Sequence, residues 1–292
     1  MEPDRPQDEC GVFAAASISN VTVDVFYALR VLQHRGQESA GIAVYNNGIK
    51  MIKGMGLAHQ ALKADEIANL KGNLGIGHVR YSTVGSSNLQ NAQPVVMSTN
   101  YGDIALAHNG EIVNGDKMRE ELKQRGWAFA TSSDSEVAVR LLANDIANTG
   151  DPIRSIKNLM STLQGSYSMT LMVDNRVFAI RDPYGIRPLC IGRTKTGFAA
   201  ASESVVFDTL GGEFTRDVEP GEIIELLPDG IKEIKSGLAK GQAHCMFEWV
   251  YIARADSCLD GRLVYDVRRK IGQRLAKEHP VDVDVVVPVP DS

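Results

Sequence analysis

Cysteine is scarce in this chain of 292 residues, and the four present, Cys10, Cys190, Cys245 and Cys258, form no Cys-x-x-Cys pair and no framework spacing. That excludes a disulfide scaffold and a complete metal site read from cysteine alone. No apolar run approaches the length that crosses a membrane. The first nine residues, Met1–Glu9, hold nothing hydrophobic after Met1, so they are not an export signal, and a cytoplasmic protein with no membrane partner is expected. Excess basic charge is lacking too: 31 Lys and Arg against 36 Asp and Glu leave a net charge of −5, which argues against nucleic acid as the main partner. A small anionic or zwitterionic substrate, met by a few placed arginines, stays open. Neither a repeat nor a low-complexity tract is present. What remains, 43% hydrophobic and 23% charged, is the composition of an ordinary globular protein with room for one large domain or two smaller ones.

Short strand patterns dominate. They cover Val12–Ser17, Gly41–Tyr45, Lys50–Lys53, Gly75–Arg80, Ile104–His108, Tyr167–Val173, Val177–Arg181 and Gly197–Ser202, several apolar throughout and so covered on both faces. Asn46-Asn47-Gly48 and Asp174-Asn175 lie between paired runs as hairpin turns do, which makes the sheet mostly antiparallel. Helical spacing marks Val25–Leu32, Ala61–Leu70, Lys117–Gln124, Glu136–Ile146 and Ile153–Leu163, with Ser133 and Glu136 spaced as a capping box for the fourth. Antiparallel strands with helices inserted between them predict an α+β fold of two packed sheets under helical layers. Near residue 237 the character changes. Lys235 to Gln242 is a polar connector, followed by Cys245–Ala253, a helical spacing at Val264, Val267, Ile271 and Leu275, and a strand Val281–Val289. This reads as the opening of a second domain that the remaining residues, roughly 50, are too few to complete.

Cys10 opens the run Cys10-Gly11-Val12-Phe13 after a polar leader that carries two prolines and has nothing obliging it to fold. Cutting the Glu9–Cys10 bond would give one residue both a thiol and an α-amine, with ordinary pKa values of about 8.5 and 7.7–8.0, so nucleophile and general base would sit side by side near neutral pH. The competing account is a small buried residue at a strand start. Four polar clusters bear on the choice. Gln33–Ser39 crowds seven mostly polar residues into one connector, where Arg35 either meets a carboxylate near the new N-terminus or belongs to a surface turn ending a helix at Gly36. Gly77–Thr83 sets Arg80 at the end of an apolar strand, placed for the carboxylate of an amino acid or for a structural ion pair. His108-Asn109-Gly110-Glu111 offers an amide and a backbone N–H to an oxyanion, or makes a tight Asn-Gly turn. Thr131–Glu136 puts Asp134 at a helix start, to hold an ammonium or to cap the helix. A nucleophile, an oxyanion hole, a cation and an anion add up to an amide hydrolase for a free amino acid, and glutamine carries the side-chain amide such a site cuts.

As a set, Cys10–Phe13, Leu32–Gln37, Gly77–Thr83, His108–Gly110 and Ser132–Glu136 resemble the class II glutamine amidotransferase domain of the N-terminal nucleophile hydrolases. Arg181–Leu189, Ala201–Ser204 and Phe247–Arg254 resemble, within that class, the phosphoribosylpyrophosphate amidotransferase family, and the similarity runs over nearly the whole chain. The resemblance implies a four-layer αββα sandwich followed by the start of an α/β phosphoribosyltransferase domain. Residues 1–9 would be a cleavable leader, 10–236 the glutaminase domain and 237–292 the connector and the opening of the second domain. Cys10 and Arg35 would be catalytic, Asn109 and Gly110 would form the oxyanion hole, and Arg80, Thr83 and Asp134 would hold glutamine. Ammonia would pass to phosphoribosylpyrophosphate to make 5-phosphoribosylamine, a glycosyl transfer that is the first committed step of purine synthesis. No cofactor is expected for the hydrolysis. A full-length member implies Mg2+, a homo-oligomer and, in one branch, a 4Fe-4S cluster whose first ligand stands where Cys245 does. Two departures stand out: residue 255 is alanine where the family shows proline, and the loop with paired aspartates that binds phosphoribosylpyrophosphate is missing. The rival readings are another class II enzyme, such as glucosamine-phosphate synthase or asparagine synthetase, which lack the Arg181–Leu189 run, and an unprocessed, inactive assembly subunit.

Overall fold

The computed structural model describes residues 10–81 and 87–288. The leader Met1–Glu9, its expected cleavage, and Thr83 lie outside them. In chain order the strands of the two large sheets are β1 (Gly11–Ser17), β2 (Ser39–Tyr45), β3 (Ile49–Met55), β4 (Leu74–Arg80), β5 (Val95–Thr99), β6 (Gly102–Ile112), β7 (Gly165–Val173), β8 (Arg176–Arg181), β9 (Cys190–Arg193), β10 (Gly197–Ala201), β11 (Glu213–Asp217), β12 (Glu222–Leu227) and β13 (Gly230–Lys235). The helices are α1 (Thr22–Val31), α2 (Ala58–Ala61), α3 (Ala64–Asn69), α4 (Gly115–Gln124), α5 (Asp134–Thr149), α6 (Pro152–Thr162), α7 (Val205–Thr209) and α8 (Val264–Glu278).

Two antiparallel sheets stack face to face, one ordered β11-β9-β10-β1-β4-β2-β3 and the other β13-β12-β8-β7-β6-β5. Their hairpins turn where expected: Asn47 and Asp174 take the left-handed conformation, at φ of 51° and 50°, that reverses β2 into β3 and β7 into β8. Between the sheets lies a thin layer rich in alanine, with Val12, Ala14 and Ala16 of β1 and Ile76 of β4 against Ala105 and Ala107 of β6. Small side chains let the sheets close on one another. The outer face of the first sheet is covered by α1, α3 and Phe207 of α7, and that of the second by α4, α5 and α6. The result is the expected four-layer αββα sandwich. Helix α1 lies close to β4 because of glycine: a β-carbon at Gly77 would come within 2.6 Å of Val25 and 3.0 Å of Leu29.

Three expectations are corrected. Ala61–Leu70 is not one helix, since Leu62 and Lys63 are extended between α2 and α3. Leu62 and Ile67 are both buried in one outer layer, and residues five apart do not share the face of a straight helix, so the chain breaks to bury both. Ser133 does cap α5, its Oγ accepting from the Ser135 N–H at 3.2 Å, but Glu136 does not complete a capping box. It accepts instead from the N–H groups of Ala130 and Thr131 at 3.0 and 2.6 Å, tying down the approach to the helix. Residues 281–288, the described part of the expected strand Val281–Val289, are irregular and exposed. A strand needs a hydrogen-bonded neighbour, and among the described residues this run has none.

Past β13 the chain stays on the sandwich. Lys240 and Ala243 donate their N–H groups to the carbonyls of Pro183 and Tyr184, both at 2.8 Å, before a single turn over Glu248–Ile252 and the mostly exposed α8. Among the described residues no helix is long and apolar enough to cross a membrane.

Candidate active site

Cys10 immediately precedes β1, where Gly11 pairs with Val79 of β4, so the next step of the ladder brings it beside Arg80. It is 8% exposed, and its Sγ lies 3.4 Å from the Tyr81 carbonyl. Strand side chains alternate between faces. Cys10 therefore shares the inter-sheet face of Val12 and Ala14, Arg80 that of Ile76, and Asn109 that of Ala105 and Ala107. Three of the candidate residues thus meet in one layer at one end of the sandwich.

The end of β6 is clamped from two sides. His78 of β4, wholly buried, reaches across with Nε2 3.0 Å from the His108 carbonyl. Burial, reinforced by the Arg80 cation, pushes the His78 imidazole down to about 3, so the ring is neutral; facing a carbonyl, Nε2 carries the proton and Nδ1 is bare. Gln93 holds the other side, its Oε1 accepting the His108 N–H at 2.8 Å. The next residue, Asn109, is fully buried, yet neither its Oδ1 nor its Nδ2 has a partner among the described residues. Gly110 follows at φ 142°, and a β-carbon there would collide with the Ser166 carbonyl, so only glycine fits. An amide buried without a partner beside an obligatory glycine is costly unless something completes it.

Asp134, the first residue of α5, points its Oδ2 back at the Ile112 N–H, 3.0 Å away at the end of β6, while its Oδ1 lies 3.7 Å from His108 Nδ1. Burial pushes its carboxyl up, but His108 and the N–H groups of Ile112 and Ser135 outweigh burial and hold it below the ordinary range. Ser133, not Asp134, caps the helix, so the carboxylate fixes the helix start against the strand that bears Asn109. Arg80 is 3% exposed, with one guanidinium nitrogen 3.6 Å from Glu38.

Arg35 does not face the thiol. It is wholly buried, donates Nε to the Cys10 carbonyl at 3.1 Å, and spends its other nitrogens on Glu203 and Glu248. Its hydrogen bond to Cys10 is therefore to the backbone carbonyl and not to the thiol, which corrects the expectation of a catalytic Arg35. Glu203 also accepts from His34, the Arg254 N–H and Ser257 Oγ; burial raises its carboxyl, but His34 and Arg35 overcome this and keep it ionised. Neither Glu203, Glu248 nor Gln93 follows from spacing. The one signal for Glu248 is a lone carboxylate inside the apolar run Phe247-Glu248-Trp249-Val250.

Cys245 was the candidate cluster ligand. Its sulfur sits 3.8 Å from an Arg187 guanidinium nitrogen, and among the described residues no group of three or more His, Cys, Asp or Glu is placed to hold a metal.

Residues 78–209 match the family model for the glutamine amidotransferase domain. The chain is 46% identical to an amidophosphoribosyltransferase of Methanocaldococcus jannaschii, over 97% of this chain and 64% of that protein. It is 41% identical to the human amidophosphoribosyltransferase, over 98% of this chain and 62% of that protein. The solved glutamine phosphoribosylpyrophosphate amidotransferase of B. subtilis, complexed with ADP and GMP, superimposes with a TM-score of 0.90 at 37% identity, covering 97% of this chain and 61% of that one. The chain spans 61–64% of the length of the first curated relatives it matches. Sheets, helical layers and sequence agree: over nearly all its residues the chain is homologous to amidophosphoribosyltransferases.

Proposed function

We propose that this chain releases ammonia from glutamine at Cys10, and that in the whole protein the ammonia goes to phosphoribosylpyrophosphate to form 5-phosphoribosylamine in the first committed step of purine synthesis. The observation that carries the hydrolysis is the buried amide of Asn109, without a partner among the described residues, beside Gly110 and in the same inter-sheet layer as Cys10 and Arg80. Arg80 takes the α-carboxylate of glutamine and Asp134 its ammonium, which presents the side-chain amide to the thiol. Attack forms the Sγ–Cδ bond. The oxyanion is met by Asn109 Nδ2 and the Gly110 N–H, the Cys10 α-amine carries the thiol proton to the leaving nitrogen, and ammonia departs. Water then adds to the thioester, giving glutamate and the free thiol. Glucosamine-phosphate synthesis is not favoured, because the relatives above bear the amidophosphoribosyltransferase name.

While Glu9 remains joined to Cys10, the Cys10 nitrogen is a planar amide that cannot accept a proton. Active protein is therefore expected to begin at Cys10, and Cys10→Ala to be inactive even when trimmed. Intact mass beside a glutaminase assay checks both. Full activity from chains that retain Glu9 would overturn the mechanism.

A further inference from the structure

We propose that Glu248, on the turn beyond the connector, is a positioning residue for Cys10, acting through Arg35. The inference rests on the glutaminase reading. Arg35 bridges the two: Nε donates to the Cys10 carbonyl at 3.1 Å, while Nη1 and Nη2 grip the two Glu248 oxygens at 2.9 and 2.5 Å. A guanidinium is planar and rigid, so a bidentate carboxylate on its Nη side dictates where its Nε–H points. Glu203, touching Nη1 alone at 2.7 Å, neutralises charge but leaves that plane free to rotate. The carbonyl so held is one bond from the Cα that bears the thiol and, after trimming, the amine, so a displaced plane shifts both reacting groups of Cys10.

Glu248 is itself anchored from the far side. Arg268 of α8 donates to the carbonyls of Trp249 and Ala253 at 2.9 and 2.7 Å, and Glu203 accepts the Arg254 N–H and Ser257 Oγ at 2.9 and 2.6 Å. The whole turn is fastened at both ends, and Arg35 is where it reaches the nucleophile. A contact of this kind affects the chemical step and not the grip on glutamine, whose charged ends meet Arg80 and Asp134.

The test compares the full chain with Glu248→Gln and Glu248→Ala, and with Glu225→Gln as a matched control. Glu225 makes the same bidentate bond to Arg176, at 2.6 and 2.8 Å, far from Cys10 between β8 and β12. Both Glu248 variants are expected to lower kcat for glutamine hydrolysis by about tenfold or more with KM changed by less than about threefold, the pattern of a misplaced nucleophile. Iodoacetamide should alkylate Cys10, followed by peptide mass, at least about threefold faster in these variants, because the loosened thiol leaves its buried position. Glu225→Gln should change neither. Folded Glu248 variants with parental kcat and a parental alkylation rate overturn the proposal, and Glu248→Gln decides it if the alanine variant does not fold. Should the trimmed parent itself fail to hydrolyse glutamine, the glutaminase reading falls, and the alkylation rates alone decide whether Glu248 positions Cys10.

Discussion

Asn109 is the residue where stability and activity pull apart. A buried amide with neither end bonded forfeits about 1–3 kcal/mol that an apolar side chain of similar size would not. Asn109→Leu is therefore expected to melt no lower than the parent while kcat for glutamine falls by about 10²–10³, the usual loss for an oxyanion donor. Thermal melting and the hydrolysis assay, run on one preparation, check it; a destabilised variant with parental kcat contradicts the assignment. At this scale the sequence singles out Cys10, Arg80, Asn109 and Asp134 because each lies in a short polar cluster beside an apolar strand or at the start of a helix. Glu203 and Glu248 are not. Their meaning lies in sharing one guanidinium, and no periodicity links Arg35 to carboxylates contributed by such distant stretches of chain.

Among the elements, β6 matters most, because its end presents Asn109 and is held by His78 and Gln93. The His78 ring is neutral down to about 3 in the folded protein, whereas an unfolded histidine takes up a proton near 6.5. Between those values the unfolded chain binds the extra proton, so this contribution is complete above about pH 6.5 and is lost as pH falls toward 3. His78→Gln should flatten the stability curve between pH 6.5 and 5, by up to about 1.4 kcal/mol per pH unit relative to the parent. Urea titrations across that range measure it, and parallel curves would show that His78 is not held neutral. The strands flanking this clamp were readable from their apolar runs. β5, β9, β11, β12 and β13 were not: β9 has four residues, β11 and β13 are polar edges, and Glu-Ile-Ile-Glu-Leu-Leu of β12 alternates with neither strand nor helix period. Such strands exist because a neighbour offers a ladder, which is a tertiary fact.

Across the whole molecule, Glu203 ties the end of β10 to the turn at Arg254–Ser257, and its carboxyl is held ionised against burial by His34 and Arg35. A carboxyl depressed on folding stabilises above its unfolded value, about 4.3, and that stabilisation is lost as pH falls below it. Glu203→Gln should cost about 3 kcal/mol or more at pH 7, and the gap from the parent should narrow at pH 3.5. Hydrogen exchange should show residues 254–257 opening first in the variant. The alternation that turns Cys10, Arg80 and Asn109 into the one inter-sheet layer carries a different consequence, for changes of length. Deleting a single residue within β1, β4 or β6 turns every side chain beyond it to the opposite face, which would exchange Asn109 for His108 in the inter-sheet layer. The turn at Asn46–Gly48 is under no such constraint. A lineage built on this sandwich can thus lengthen or shorten its hairpins freely, whereas its inner strands must be inherited residue for residue in count, whatever their composition becomes.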